Sequence, residues 1–205
     1  MLSKVEIVIE KIVLVLKKFL LWVEQLFEMN PQDEATIHHK VGKKNLDKGK
    51  IDEAIKSLKT AAELSPTNLD IYYELGVAYN KKCLWDEAIL SYKKAIDGGS
   101  SNDKIHSKVG FAYSKKNMFK EAVESYKKSL DIRKDQPDVY FQLGILSDKQ
   151  KSYDQAIGYY QKAVELDPRT AKYYYSMGLA YDGKGEHGKA IESFRKAMEA
   201  EEIKE

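Results

Sequence analysis

Leu75-Gly76-Val77-Ala78-Tyr79-Asn80-Lys81-Lys82-Cys83-Leu84-Trp85-Asp86-Glu87-Ala88-Ile89-Leu90-Ser91-Tyr92-Lys93-Lys94-Ala95 decides the fold, because its landmarks recur along the chain at one fixed interval. Gly42, Gly76, Gly110, Gly144 and Gly178 stand 34 residues apart. Ala54, Ala88, Ala122, Ala156 and Ala190 keep the same step, always 12 after the glycine. Leu58, Tyr92, Tyr126, Tyr160 and Phe194 form a third series; Ala61, Ala95, Ser129, Ala163 and Ala197 form a fourth. Self-similarity at such a period marks an array of supersecondary units, each unable to bury its apolar face alone.

Within a unit the spacing is helical. Tyr72, Leu75, Gly76 and Tyr79 share one face of a first helix, and Lys82-Cys83-Leu84 makes a turn. Trp85 then opens a second packing surface, its place taken by Ile51, Phe119 and Tyr153 in other units and by His187 in the last. A glycine in a helix interior costs about 1 kcal/mol against alanine, so its recurrence implies close approach of a second helix. The alanine series is expected to supply that approach, small against small. The aromatic series is expected to fill the wedge between consecutive units. Second helices begin with Asp52-Glu53, Asp86-Glu87 or Asp154-Gln155 and carry lysines such as Lys93-Lys94 and Lys127-Lys128 towards their ends, as the helix dipole favours. Much of the charge therefore has a structural use.

The series Leu75-Gly76, Tyr79, Ala88, Tyr92, Ala95, with Pro66 and Pro168 near unit ends, resembles the tetratricopeptide repeat. The resemblance implies an all-α fold: antiparallel helix pairs stacked into a right-handed superhelix, with first helices lining a concave groove. Five units are expected at 35–68, 69–102, 103–136, 137–170 and 171–204, behind an N-terminal segment 1–34. The run Met177-Gly178-Leu179-Ala180-Tyr181-Asp182-Gly183-Lys184-Gly185-Glu186-His187, followed by Ala190-Ile191 and Phe194-Arg195-Lys196-Ala197, is similar to the final repeat of magnetosome-associated members of that family. That narrower resemblance implies a cytosolic protein that self-assembles as a coat on the magnetosome membrane, with magnetosome membrane proteins among its partners.

One unit boundary departs from the others. Asp97-Gly98-Gly99-Ser100-Ser101-Asn102 replaces the Leu64-Ser65-Pro66 pattern, so 98–102 reads as a hinge or as a longer rigid turn.

On each first helix a second face presents Tyr73 and Val77, Ser107 and Phe111, Phe141 and Ile145, or Tyr175 and Leu179; the first unit offers His39 and Lys43 instead. Apolar anchors flanked by Asn80, Ser114, Asp148 and Asp182 suit a bound peptide or helix. The same side chains also suit packing between adjacent first helices. The expected groove residues are Tyr73, Val77, Phe111, Phe141, Ile145, Tyr175 and Leu179. Family members that grip a carboxylate tail do so with Lys, Arg and Asn, which this apolar row lacks.

In residues 4–29 Val5, Val8, Ile12, Leu16, Phe19, Trp22, Val23 and Phe27 fall on one broad helical face, with Glu6, Glu10, Lys17, Lys18 and Glu24 opposite. A spanning helix needs about 20 apolar residues in a row, and Lys17-Lys18 interrupts this one. Neither a transmembrane span nor a cleaved signal is expected. Three readings stay open: a cap on the first unit, self-assembly through Ile12, Leu16, Phe19, Trp22 and Phe27, or shallow attachment to a membrane.

The 34 basic residues nearly balance 32 acidic ones, which argues against nucleic-acid binding. Cys83 is the only cysteine, so no internal disulfide forms, and it occupies a turn in common with Gly49, Asn117 and Gly185. His38 and His106 hold the repeat place of Tyr72, Tyr140 and Tyr174, which favours packing over metal binding. No phosphate loop, nucleophile elbow or zinc-ligand spacing is found in the sequence, so no cofactor, metal or catalysis is expected. The functions that remain are a self-assembling scaffold holding proteins or peptides, or a monomeric adaptor for a secretion or envelope-assembly complex.

Overall fold

The computed structural model describes residues 13–20 and 30–202. Every regular element among them is helical, and the architecture is all-α, built of antiparallel helix pairs. The chain divides into two compact units, Met1–Asn68 and Leu69–Glu205. The first holds a helical stretch at 13–20 and one antiparallel pair, α1 (Pro31–Asp47) and α2 (Ile51–Leu64). The second stacks four pairs: α3 (Leu69–Lys81) with α4 (Trp85–Asp97), α5 (Asp103–Lys115) with α6 (Phe119–Ile132), α7 (Pro137–Lys149) with α8 (Tyr153–Leu166), and α9 (Ala171–Lys184) with α10 (His187–Glu202).

Helix starts follow from local chemistry. The Asn30 side chain accepts a hydrogen bond from the Gln32 amide at 2.9 Å, and Pro31 takes the first helical position, where its missing N–H costs nothing. The first pair thus begins four residues earlier than the 35 expected. Asn102 caps α5 in the same way, accepting from the Ile105 amide at 2.9 Å.

The recurring glycine faces a different partner from the one expected. A Cβ on Gly76 would lie 2.4 Å from Tyr92 Cε1, on Gly144 2.4 Å from Tyr160 Cε1, and on Gly178 2.6 Å from Phe194 Cε1. Gly110 meets Tyr126 in the same way, and Gly42 meets Leu58. Each glycine is therefore a socket for the aromatic or leucine of its own unit's second helix, and at Gly42 the alanine series also comes near, through the Ala54 carbonyl at 3.3 Å. The aromatic does reach the next unit as well. Tyr126 shares a buried cluster with Ala122, Val139, Leu143 and Leu146, and Tyr160 shares one with Ile157, Met177 and Ala180.

The inter-helix turns also obey the period. Gly49, Cys83, Asn117, Lys151 and Gly185 all take positive φ, between 57° and 86°. Cys83 is an exposed turn residue with left-handed backbone.

At 98–102 the chain closes with hydrogen bonds from Gly99 N to Ile96 O and from Ser100 N to Ala95 O, both 2.9 Å. Gly98 leaves room for the Leu69 side chain, which a Cβ would meet at 2.3 Å. The counterparts of Gly98 are half-buried at Leu64 and 52% and 44% exposed at Ile132 and Leu166, so none of them is a fully buried core residue. The missing leucine therefore sacrifices a partial contact rather than a core one.

Candidate interaction groove

First helices of consecutive pairs in the second unit touch one another, which aligns their exposed faces along one side. Tyr73, Val77, Phe111, Phe141 and Ile145 are half-buried there, whereas Tyr175 and Leu179 remain 54% and 46% exposed. The rings have structural neighbours too. Tyr73 lies 6.0 Å from Tyr92 between centroids, and Phe111 lies 5.9 Å from Trp85. Phe141 sits between Tyr160 at 5.7 Å and Tyr173 at 5.1 Å. The groove row thus packs and faces outward at once, most openly at Tyr175, whose ring leans on Phe194 at 5.4 Å.

One of the expected residues, Tyr73, shares a cavity of about 390 Å³ with Ser107, Lys104, Lys108, Arg133 and Asp138. Its charged wall was missed by sequence reasoning. The wall is held by a buried network: Ser129 Oγ donates to the Asp103 carbonyl at 2.7 Å, and Gln136 Nε2 donates to the Ser129 and Arg133 carbonyls at 3.0 and 2.6 Å. Arg133 Nε pairs with Asp103 at 2.8 Å, and this hydrogen bond holds the Asp103 carboxyl below the usual range. Asp138 accepts from Lys172 at 2.8 Å and from the Tyr173 hydroxyl at 2.9 Å, and its carboxyl is likewise held low, chiefly by Lys172. These bonds clasp α7 to α9.

A second cavity of about 480 Å³ is the more apolar one, floored by Ala171, Tyr175, Phe194, Ala197 and Met198. Asp148, on the polar side of the row, has its carboxyl pushed up by burial. In the first unit, His39 is half-buried and Lys43 exposed. His38 lies 3.8 Å from Glu34, and burial lowers the affinity of His106 for its proton. No cluster of three or more His, Cys, Asp or Glu side chains able to hold a metal occurs among the described residues.

Of the expected assembly residues, Leu16 and Phe19 lie on the 13–20 helix, each 55% exposed. Ile12, Trp22 and Phe27 lie outside the described residues. No helix among the described residues is long and apolar enough to cross a membrane.

Comparisons with known proteins agree with this geometry. Family models described as TPR repeat match residues 42–82 and 149–185, and one described as tetratricopeptide repeat matches 104–136 and 171–203. A crystal structure of MamA protein is 30% identical, with a TM-score of 0.77 over 84% of this chain and 94% of that one. MamA 41-end from Desulfovibrio magneticus RS-1 is 24% identical, with a TM-score of 0.79 over 83% of this chain and 97% of its own. YrrB, described as a TPR protein with an unusual peptide-binding site, is 23% identical, with a TM-score of 0.69 over 80% of this chain and 84% of its own. These last two likenesses speak to the fold. No curated protein is matched by the sequence. With its repeats matched by family models over more than half its length and a 30% identical structure covering most of it, the chain belongs to the tetratricopeptide repeat family and, within it, resembles MamA.

Proposed function

We propose that this protein is a non-catalytic scaffold that holds proteins or peptides along its first-helix groove and assembles with copies of itself, as a MamA-like coat on the cytosolic face of the magnetosome membrane. The observation that carries the reading is apolar side chain left in water where a ligand would lie: Tyr175 and Leu179 in the groove, and Leu16 and Leu20 on the 13–20 helix. Clustered exposed apolar groups of this kind mark interaction surfaces. Resemblance to MamA supports the coat, and the peptide-binding description of YrrB supports a ligand in the groove. The partners are groove-bound polypeptides, magnetosome membrane proteins and further copies of the chain. Neither nucleic acid nor a cofactor has a part in it.

The test is capture of partners from the source cell by the intact chain, against Tyr175→Glu and Leu179→Glu. Both positions are exposed, so both variants should melt within a few degrees of the parent while partner yield falls at least tenfold. Phe141→Glu is a poorer probe, because it would strand a charge between Tyr160 and Tyr173. Equal yields from the parent and both exposed-site variants would remove the groove reading. A single-chain mass in light scattering at every concentration would favour a monomeric adaptor over a coat.

A further inference from the structure

Lys116, just past the end of α5, pairs with Asp86 at the start of α4. Lys184, which ends α9, pairs in the same way with Asp154 at the start of α8, at 2.6 Å. Each pair ties one unit to the next, its members 30 residues apart. At the junction between these two the same places hold Lys120 and Gln150, so the cation has changed helix and the acid is gone. A cavity of about 440 Å³ opens there, lined by Lys120, Glu124 and Lys127 of α6, Gln150 beyond α7, and Gln155 and Tyr159 of α8. None of the groove residues borders it. Its one carboxylate, Glu124, is already held by Lys128 at 2.8 Å. Neither Lys120 nor Lys127 forms an ion pair among the described residues. Lys149 adds a third positive charge, 5.7 Å from the centre of the Phe119 ring that also lines the cavity.

We infer that this cavity binds an aspartate or glutamate side chain on an extended segment of a partner polypeptide. The partner supplies the carboxylate that the two sister junctions build in. The inference goes beyond the groove reading and uses none of its residues. Three features select this occupant. The sister junctions show that a lysine at this seam takes a carboxylate. Lys120 and Lys127 lie seven residues apart on one face of α6, about 10 Å along its axis, which three residues of extended chain cover. Gln150 and Gln155 carry amides that both donate and accept, which suits a peptide backbone and gives a free anion no advantage.

The experiment is fluorescence anisotropy at low salt, with the full chain and a labelled ten-residue peptide of alternating glutamate and alanine. The control peptide carries glutamine in place of glutamate. The parent should prefer the glutamate peptide by about tenfold or more, and the preference should fade as salt rises. Lys120→Glu and Lys127→Glu, both at exposed side chains, should each weaken binding about tenfold with helix content unchanged. Lys93→Glu, at the repeat place of Lys127 on α4, should bind like the parent. Lys120→Asp with Gln150→Lys installs the clasp of the sister junctions, so that double variant should melt no lower than the parent and lose the peptide. A parent that treats the two peptides alike would overturn the inference, as would a Lys120→Glu or double variant that binds like the parent. So would a Lys93→Glu variant that loses as much, or inorganic phosphate that displaces the peptide at equal concentration. Loss of the peptide in Tyr175→Glu but not in Lys120→Glu would return it to the groove.

Discussion

The same substitution should have opposite signs at two glycines of neighbouring helices. A methyl group on Gly144 would sit 2.4 Å from Tyr160, a ring only 1% exposed and unable to retreat, so Gly144→Ala should cost about 1–3 kcal/mol. Gly158, in the middle of α8, has no neighbour within 4 Å of that position, so Gly158→Ala should stabilise by about 0.5–1 kcal/mol. Urea melts of the two variants check both signs. The period made the importance of Gly144 plain in the sequence, but spacing could not reveal which side chain filled its socket. Alanine and aromatic series lie one helical turn apart on the second helix, so both were sterically eligible, and only their placement in space chose the ring. Lys151 shows the reverse: its left-handed φ of 57° was foreseeable from the turn series Gly49, Cys83, Asn117 and Gly185, yet a lysine carries no sign of that conformation. Lys104, Lys108 and Arg133 stayed hidden for another reason. Their counterparts in other units change in charge and size, as Asp70 and Asp138 do against Lys104, so no series announced the charged cavity.

Between elements, polar clasps add to the aromatic sockets. Asp138 on α7 takes hydrogen bonds from both Lys172 and Tyr173 on α9, and its carboxyl is held below its ordinary range. A depressed carboxylate contributes stability that is present above its unfolded pKa and is lost as pH falls through the folded value. Asp138→Asn should therefore lower stability at neutral pH by about 1 kcal/mol at most, given how much of the pair water screens. The difference from the parent should shrink as pH drops below about 4. Thermal melts at pH 7 and pH 3 measure it, and a gap that widens in acid would contradict the assignment. Hydrogen exchange addresses the turn at 98–102. With Ser100 N bonded to Ala95 O and Gly99 N to Ile96 O, both amides should exchange as slowly as those of the other inter-unit turns. Rapid exchange confined to this turn would support the hinge. The boundary was visible in the sequence through its paired glycines; its internal bonds were not, because they depend on backbone angles.

At the scale of the whole molecule, assembly can be separated from capping. Deleting residues 1–29 keeps Asn30 and Pro31, and with them the start of α1. The truncated chain should remain helical and melt cooperatively while losing large particles in light scattering. Unfolding would make the segment a cap, and unchanged particles would exclude it from assembly. The fold was readable because one interval repeats along most of the chain; the N-terminal role was not, because that segment occurs once and has no counterpart for comparison. Repetition has a kinetic consequence as well. The ring of Tyr126 fits the hollow at Gly110, but Gly76, Gly144 and Gly178 present nearly the same hollow to any tyrosine that arrives first. A refolding chain can therefore be caught out of step by a whole module, its helices formed and their partners mistaken. Slow escape from such traps is a known hazard of tandem arrays. The irregular places, Ser129 with its Gln136 bonds and the Gly98 hollow filled by Leu69, act as keys that only one alignment satisfies.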